Sequence, residues 1–315
     1  MKPVRIGTRG SPLALWQARA VATAIERSKE LSCELVAIKT TGDRLSETVL
    51  SEAGGKVTFV KEIEQALLDE KIDLAVHSAK DLPSELPEGL CINAVLPRED
   101  PRDILALPAH HSKFIADDAE DIFASLGDDL RVGTGSVRRV AQLTTQFPAA
   151  RFREIRGNID TRLRKLDAGN YDLIVLAAAG LLRLGLAHRI SAHLSTEKCV
   201  PAPGQGIVAI ETRTCDEQIA KALSPINDQA TMTALKAERS LLNTLGGDCY
   251  VPIGGIATQE GGSLTLRAIV ASTDGAHVLR ERQRAPANDA VKLGRDVGNV
   301  LIRAGADKII SDHSS

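Results

Sequence analysis

Val4-Arg5-Ile6-Gly7-Thr8-Arg9-Gly10-Ser11-Pro12-Leu13-Ala14-Leu15-Trp16-Gln17 sets a strand, a turn and a helix directly after one another. Residues 4–8 have a short strand pattern. Ser11-Pro12 supplies a helix N-cap and a first-turn proline, and residues 13–27 place apolar side chains at helical spacing. Working outward, residues 33–39 read as a strand, 59–70 as a helix and 72–77 as a strand. A β-α-β series of this kind implies a largely parallel sheet with helices on both faces.

A Pro- and charge-rich passage, Leu96-Pro97-Arg98-Glu99-Asp100-Pro101-Arg102-Asp103, interrupts the series as a hinge. A second α/β series follows: strands at 131–134, 152–155 and 173–178, and helices at 137–147 and 159–168. Pro201-Ala202-Pro203-Gly204-Gln205-Gly206 is a second linker, and 207–211 reads as a strand returning to the first domain. Two linkers bracketing one domain is the plan of a two-lobed clamp. Beyond residue 228, a helix at 230–245, strands at 253–257 and 264–270, and a helix at 290–303 give a smaller α+β domain. The expected division is 1–99 with 204–224, 102–200, and 228–315.

The chain has 315 residues, 43% hydrophobic and 25% charged, enough to bury two or three cores. Its longest apolar stretches, such as 173–182, fall short of the roughly 20 residues that cross a bilayer, so no membrane partner is expected. The first residues lack a charged-then-apolar leader, which points to the cytoplasm. Five cysteines, odd in number and without C-x-x-C spacing, argue against a zinc site and a disulfide framework, and no metal is expected. The formal net charge of −2 hides an asymmetry: residues 131–189 carry ten Arg and one Lys against Glu154, Asp160, Asp167 and Asp172. Guanidinium forks match carboxylate and phosphate oxygens, so this region points to a specific polyanion. Nucleic acid is the rival anion. One Trp, two Tyr and five Phe leave few stacking platforms, and no helix-turn-helix or zinc-finger pattern is present.

Thr8, Arg9 and Ser11 at a strand-to-helix turn form one anion site; an ordinary helix cap is the alternative. Gly133-Thr134-Gly135-Ser136-Val137-Arg138-Arg139 repeats the arrangement. Cations in a first helical turn oppose the macrodipole, so a bound anion explains these arginines better than stability does. Arg156-Gly157-Asn158 with Arg162 makes a third such turn. Ala75-Val76-His77-Ser78-Ala79-Lys80-Asp81-Leu82-Pro83 lies at the carboxyl end of a buried strand, where open α/β sheets bind ligands. Asp81 there can stabilise a developing cation and carry protons, or merely cap a turn, while His77 reads as structural. Cys249, in Leu245-Gly246-Gly247-Asp248-Cys249-Tyr250, is a thiol in a glycine-permitted loop, or a small buried apolar group.

These motifs, with Arg98-Glu99-Asp100-Pro101-Arg102-Asp103 and Gln205-Gly206, closely resemble the hydroxymethylbilane synthases (porphobilinogen deaminases), in order and over the whole chain. The resemblance implies an α/β protein with two lobes like periplasmic binding proteins, containing mostly parallel sheets, and a smaller α+β C-terminal domain. It implies a transferase that links four porphobilinogen molecules head to tail, with loss of ammonia, on a dipyrromethane cofactor held to Cys249 by a thioether. A soft thiolate suits capture of an electrophilic azafulvene carbon. Each pyrrole carries an acetate and a propionate, which accounts for the arginine-rich lobe. Asp81 would be the catalytic carboxylate. Cys249, Lys80, Ser78, Thr134, Ser136, Arg138, Arg139 and Arg162 would hold the cofactor. Arg9, Ser11, Lys56, Phe59, Arg156, Arg183 and Gln205 would hold substrate. The resemblance further implies a monomer whose partners are porphobilinogen and the growing oligopyrrole.

Arg138 and Arg139 are accordingly expected to serve binding rather than folding. Glu52, Gly135 and Val57-Thr58 depart from the family's commoner residues; with Glu52 one carboxylate contact is expected to be lost, and at Gly135 only backbone donors remain. The rival function is a non-catalytic anion binder, either a solute receptor or the effector lobe of a regulator.

Overall fold

A computed structural model describes residues 2–29, 31–39, 60–111, 119–246 and 251–314. The chain packs as two compact units, residues 1–98 with 207–232 and residues 99–206 with 233–315. The first contains β1 (Val4–Thr8), β2 (Cys33–Ala37), β3 (Leu74–Ser78) and β4 (Leu90–Val95). The second contains β5 (Asp103–Ala106), β6 (Arg131–Gly133), β7 (Arg151–Arg153), β8 (Leu173–Ala177) and β9 (Ala192–His193). The chain then returns to the first unit with β10 (Val208–Arg213). It finishes in the second with β11 (Ile253–Glu260), β12 (Ser263–Ala271) and β13 (Val278–Pro286).

The first sheet runs β2-β1-β3-β10-β4 and the second β7-β6-β8-β5-β9, with the same pattern of parallel and antiparallel neighbours, while β11-β12-β13 is an antiparallel meander. In the first sheet β1 pairs parallel with β2 and β3, where helical crossovers connect the strands. β10 arrives after the long excursion of residues 99–206 and pairs antiparallel with β3 and β4. β5 does the same between β8 and β9. Both sheets are therefore mixed, parallel on one side and antiparallel around the inserted strand.

Period-two alternation explains the layers. In β3, Leu74 and Val76 join Ile6, Val21 and Ile25 under the helix Pro12–Lys29, while Ala75 faces Ile63, Leu67 and Ile72 under the helix Lys61–Leu68. In the second sheet Leu105, Val132 and Val175 face one core, and Ile104, Ile174 and Leu176 the other. Each fully buried Leu or Ile contributes roughly 1.5–3 kcal/mol. In the meander, Leu264, Leu266, Ala268 and Val270 pack with Leu293, Val297 and Leu301 of the helix Ala290–Arg303.

The sequence expectation and the structure differ in places with clear physical causes. The helix expected at 137–147 stops at Leu143, and a turn follows. β5 escapes sequence reading because it begins with a carboxylate inside a charged, Pro-rich passage. β13 escapes because Glu281 and Gln283 occupy half-buried positions between exposed Arg280, Arg282 and Arg284, leaving no apolar–polar alternation.

Candidate functional site

In the first unit, β1 and β3 are parallel neighbours, so Thr8-Arg9 and Ser78-to-Asp81 leave the same edge of the sheet. Ser11 caps the next helix: its Oγ accepts from Ala14 N at 3.3 Å and its carbonyl from Leu15 N at 2.9 Å. Thr8 is buried and its hydroxyl donates to the Ala14 carbonyl at 3.2 Å, fixing the turn that carries half-buried Arg9. Buried Gln17 donates through Nε2 to Ser78 Oγ at 2.9 Å, tying the helix to the end of β3.

Ala79–Asp81 form a single 3-10 turn, pinned by Ala79 N donating to Ile207 O at 3.0 Å and Leu82 N to Ala79 O at 3.3 Å. Lys80 is half-buried. Asp81 is exposed, and no hydrogen bond or ion pair engages its carboxylate among the described residues. The turn thus presents, at the carboxyl edge of the sheet, a carboxylate that no other described residue engages.

β3 also contributes to a buried cluster that local patterning does not reveal. His77 Nε2 sits 3.1 Å from Glu211 Oε2, both almost fully buried, with Glu64 facing them from the helix Lys61–Leu68. Burial, reinforced by Glu211, pushes the Glu64 carboxyl up to about 7, against the opposing pull of His77 and Lys61. A carboxyl whose folded value lies above its usual 4.5 stabilises the fold at low pH, and that contribution is lost as pH rises toward 7. Glu64→Gln is therefore expected to flatten stability between about pH 4.5 and 7.5 and to raise the melting temperature at pH 8. Melting curves across that range check it, and an unchanged pH profile would refute it.

In the second unit β6 is parallel to β7 and β8, so the turns after them share one edge. Thr134 is buried, its N donates to Arg153 O at 3.0 Å, and its Oγ1 accepts from Ser136 N at 3.3 Å. Ser136 precedes the helix Val137–Leu143 without using its hydroxyl as a cap. A Cβ at Gly135 would come 2.9 Å from the Ile155 carbonyl oxygen, so a side chain there would force that backbone to shift. At the adjacent turn Gly157 has φ +112°, a left-handed conformation that favours glycine. Arg162 Nε donates to its carbonyl at 2.7 Å, and exposed Arg156 pairs with Glu154 at 2.6 Å. Thr134, Ser136, Arg156 and Arg162 thus belong to neighbouring turns.

Arg138 and Arg139, on the helix that follows Ser136, and Gln205 turn into a buried network around Asp103. Arg138 Nη1 and Arg139 Nη2 each reach an Asp103 oxygen at 2.8 Å, and Arg139 Nε adds a third bond at 3.1 Å. Arg138 Nη1 also donates to Val200 O, and Arg139 Nη1 to Val175 O, both at 2.8 Å. Gln205 Nε2 donates to Asp103 Oδ1 at 2.8 Å and to Pro101 O at 2.7 Å, so both crossover segments converge on one carboxylate. Burial pushes Asp103 up, but Arg138 and Arg139 outweigh it and hold the carboxyl well below the usual range. The same burial, with Asp103, pushes the neighbouring Cys199 thiol up to about 12, which makes it a poor nucleophile. Asp103 thus supplies one internal counter-charge shared by Arg138 and Arg139.

Arg183 is buried, donates through Nη2 to Gly206 O at 2.7 Å, and is brought down to about 10 by burial against the pull of Glu99, so it stays charged at neutral pH. Sequence reasoning also missed Glu238. Its Oε2 accepts from Gly204 N at 2.6 Å and its Oε1 from Ala257 N at 2.7 Å, fixing the return linker to β11. Lys56, Phe59 and Cys249, with Glu52 and Val57-Thr58, lie outside the described residues. Among the described residues no cluster suits a metal ion, and no helix is long and apolar enough to cross a membrane.

Comparison with known proteins adds to this geometry. Residues 4–221 match the family model described as "Porphobilinogen deaminase, dipyromethane cofactor binding domain", and residues 232–303 match "Porphobilinogen deaminase, C-terminal domain". The porphobilinogen deaminase of Syntrophomonas wolfei is 44% identical over 313 residues, covering 99% of each chain. That of Syntrophobacter fumaroxidans is 46% identical over 310 residues, covering 98% of this chain and 97% of its own. Among solved structures, immunogenic lipoprotein A from Vibrio vulnificus aligns with a TM-score of 0.41 at 15% identity, covering 75% of this chain and 99% of its own.

Proposed function

The chain belongs to the porphobilinogen deaminase family, and from this we infer how its own residues divide the work of a hydroxymethylbilane synthase. It is a transferase of tetrapyrrole biosynthesis and carries the family's dipyrromethane cofactor-binding domain. The observation that carries the catalytic assignment is Asp81: an exposed carboxylate, unengaged among the described residues, on a turn pinned by backbone hydrogen bonds. We assign it the stabilisation of positive charge on the substrate as ammonia departs, and the movement of protons at the reacting carbon. Arg9, Ser11, Ser78 and Lys80 share its edge of the sheet and supply donors for substrate and cofactor carboxylates.

The donor set of the second unit fits a polycarboxylate cofactor. Thr134 and Ser136 offer hydroxyls, and Arg156 and Arg162 guanidiniums, from adjoining turns. When bound, the dipyrromethane supplies the pyrrole carbon to which the chain is joined. Cys249 is the proposed point of attachment, with Lys56 and Phe59 completing the substrate contacts. For Arg138, Arg139 and Gln205 the Asp103 network favours an indirect contribution, holding the crossover segments from which Arg183 is also bonded. The same reading keeps three domains, at 1–99 with 204–224, 102–200 and 228–315, supported by a separate core for each sheet. It has the protein acting as a cytoplasmic monomer on porphobilinogen and the growing oligopyrrole.

Intact-protein mass tests the attachment. Protein purified from cells is expected to exceed the chain mass by two linked pyrroles, and Cys249→Ser to fold but lose that excess, because a hydroxyl is the poorer nucleophile. An unmodified mass in the parent, or an unchanged adduct in the variant, would refute the assignment.

A further inference from the structure

The three-stranded sheet has one face packed by helices and an opposite face rich in arginine and threonine. Because side chains alternate, Leu264, Leu266, Ala268 and Val270 of β12 enter the core, and Thr265 and Arg267 emerge on the opposite face. The register sets Arg267 directly across from Arg282 of β13, and Thr265 across from both Arg284 and Thr258 of β11. Like charges directly opposite one another are unfavourable in a sheet, and here only the Arg267 side of the pair has an acidic partner, Glu197. Glu197 accepts from Arg267 Nη2 at 2.7 Å, and its backbone carbonyl accepts from Arg280 Nη1 at 3.1 Å. The side chains of Arg282 and Arg284 make no ion pair or hydrogen bond with any described residue. A pocket of about 340 Å³ opens here, lined by Arg267, Arg282 and Arg284 with the hydroxyls of Thr196, Thr258 and Thr265. Glu260 is the one acidic residue in its wall.

We propose that this pocket binds a compact oxyanion with two or more negative charges, held by the guanidiniums of Arg267, Arg282 and Arg284 and by the three threonine hydroxyls. The donor set consists of groups that bond to carboxylate or phosphate oxygens, and arginine forks do so in a bidentate manner. The volume falls within the range of small-molecule sites, toward the small end. A bound dianion relieves the Arg267–Arg282 repulsion, which no acidic neighbour of Arg282 does. Long nucleic acid is a poor fit, since no aromatic side chain lines the pocket. None of its lining residues belongs to the Asp81 turn or to the turns at 134–136 and 156–162, so it is proposed as a second anion site.

The test uses the full-length, cofactor-loaded protein and the double variant Arg282→Gln/Arg284→Gln. Titration calorimetry with inorganic pyrophosphate and, separately, with citrate reads the site. Saturable one-to-one binding of at least one of them is expected in the parent, weakened about a hundredfold in the double variant, at roughly tenfold per lost charge-assisted contact. Porphobilinogen turnover should be unchanged in the variant. Tighter pyrophosphate binding assigns a phosphate ligand, and tighter citrate binding a carboxylate. Equal affinity in parent and variant would place the anion elsewhere and overturn the proposal, as would no saturable binding of either anion. If the variant differed only in a greater tendency to aggregate, the arginines would be serving solely to protect the edge strand β13, and the proposal would likewise fall.

Discussion

Asp81→Asn should slow ammonia release about a hundredfold to a thousandfold, the usual effect of removing one preorganised electrostatic group from an active site. Asparagine keeps the size of the side chain and removes its charge, so the variant separates electrostatics from turn geometry. The structure strengthens this separation. The turn is held by Ala79 N to Ile207 O and Leu82 N to Ala79 O, neither of which involves the Asp81 side chain. An exposed side chain without partners changes stability by no more than about 0.5 kcal/mol when replaced conservatively. The melting temperature should therefore stay that of the parent while the rate falls, and Asp81→Glu, which keeps but misplaces the charge, should be milder. Ammonia release and thermal denaturation measured side by side decide the matter. A near-normal rate beside a lowered melting temperature would make Asp81 a residue of the fold and move the catalytic carboxylate elsewhere.

The second large effect is expected at Asp103, on stability rather than on the chemical step. Removing one partner of a buried ion pair commonly costs about 3–5 kcal/mol, because the remaining charge stays buried without compensation. Asp103→Asn leaves two buried guanidiniums facing a neutral amide, and it also weakens the bond that Gln205 makes across the crossover. For a unit of this size the loss corresponds to a melting temperature lower by on the order of 10 °C. Arg139→Leu should behave similarly, since it leaves Asp103 with one fewer counter-charge and the Val175 carbonyl without its donor. This outcome opposes the sequence-based expectation that both arginines bind ligand and leave folding alone. Normal melting together with lost cofactor in Arg139→Leu would restore that expectation.

Much of the protein was legible in the sequence because the signals were local. Strand, cap and helix follow one another within residues 4–29, and the structure has them at Val4–Thr8 and Pro12–Lys29 with Ser11 as the cap. The helix expected at 290–303 runs over Ala290–Arg303. The strand expected to return after the second linker does pair in the first sheet, as β10. The order of the motifs was sufficient for the family. Turn glycines, caps and 3.6- or two-residue periodicity are properties of neighbouring residues, and they survive translation into three dimensions almost unchanged.

What only the tertiary structure decided was the partner of each charged group. An excess of arginine over residues 131–189 says that anions are needed, but not where they come from. Asp103 meets Arg138 and Arg139 across separations of 35 and 36 residues, and Gln205 across 102. Glu64, His77 and Glu211 come together from a helix and two strands, and Arg267 meets Arg282 only through the register of β12 on β13. Local periodicity fixes which face a side chain takes, whereas sheet register and crossover fix what it faces. Electrostatic roles depend on the second of these, so the sequence determined the elements and the family, and the fold determined which charges are consumed internally and which remain for a ligand.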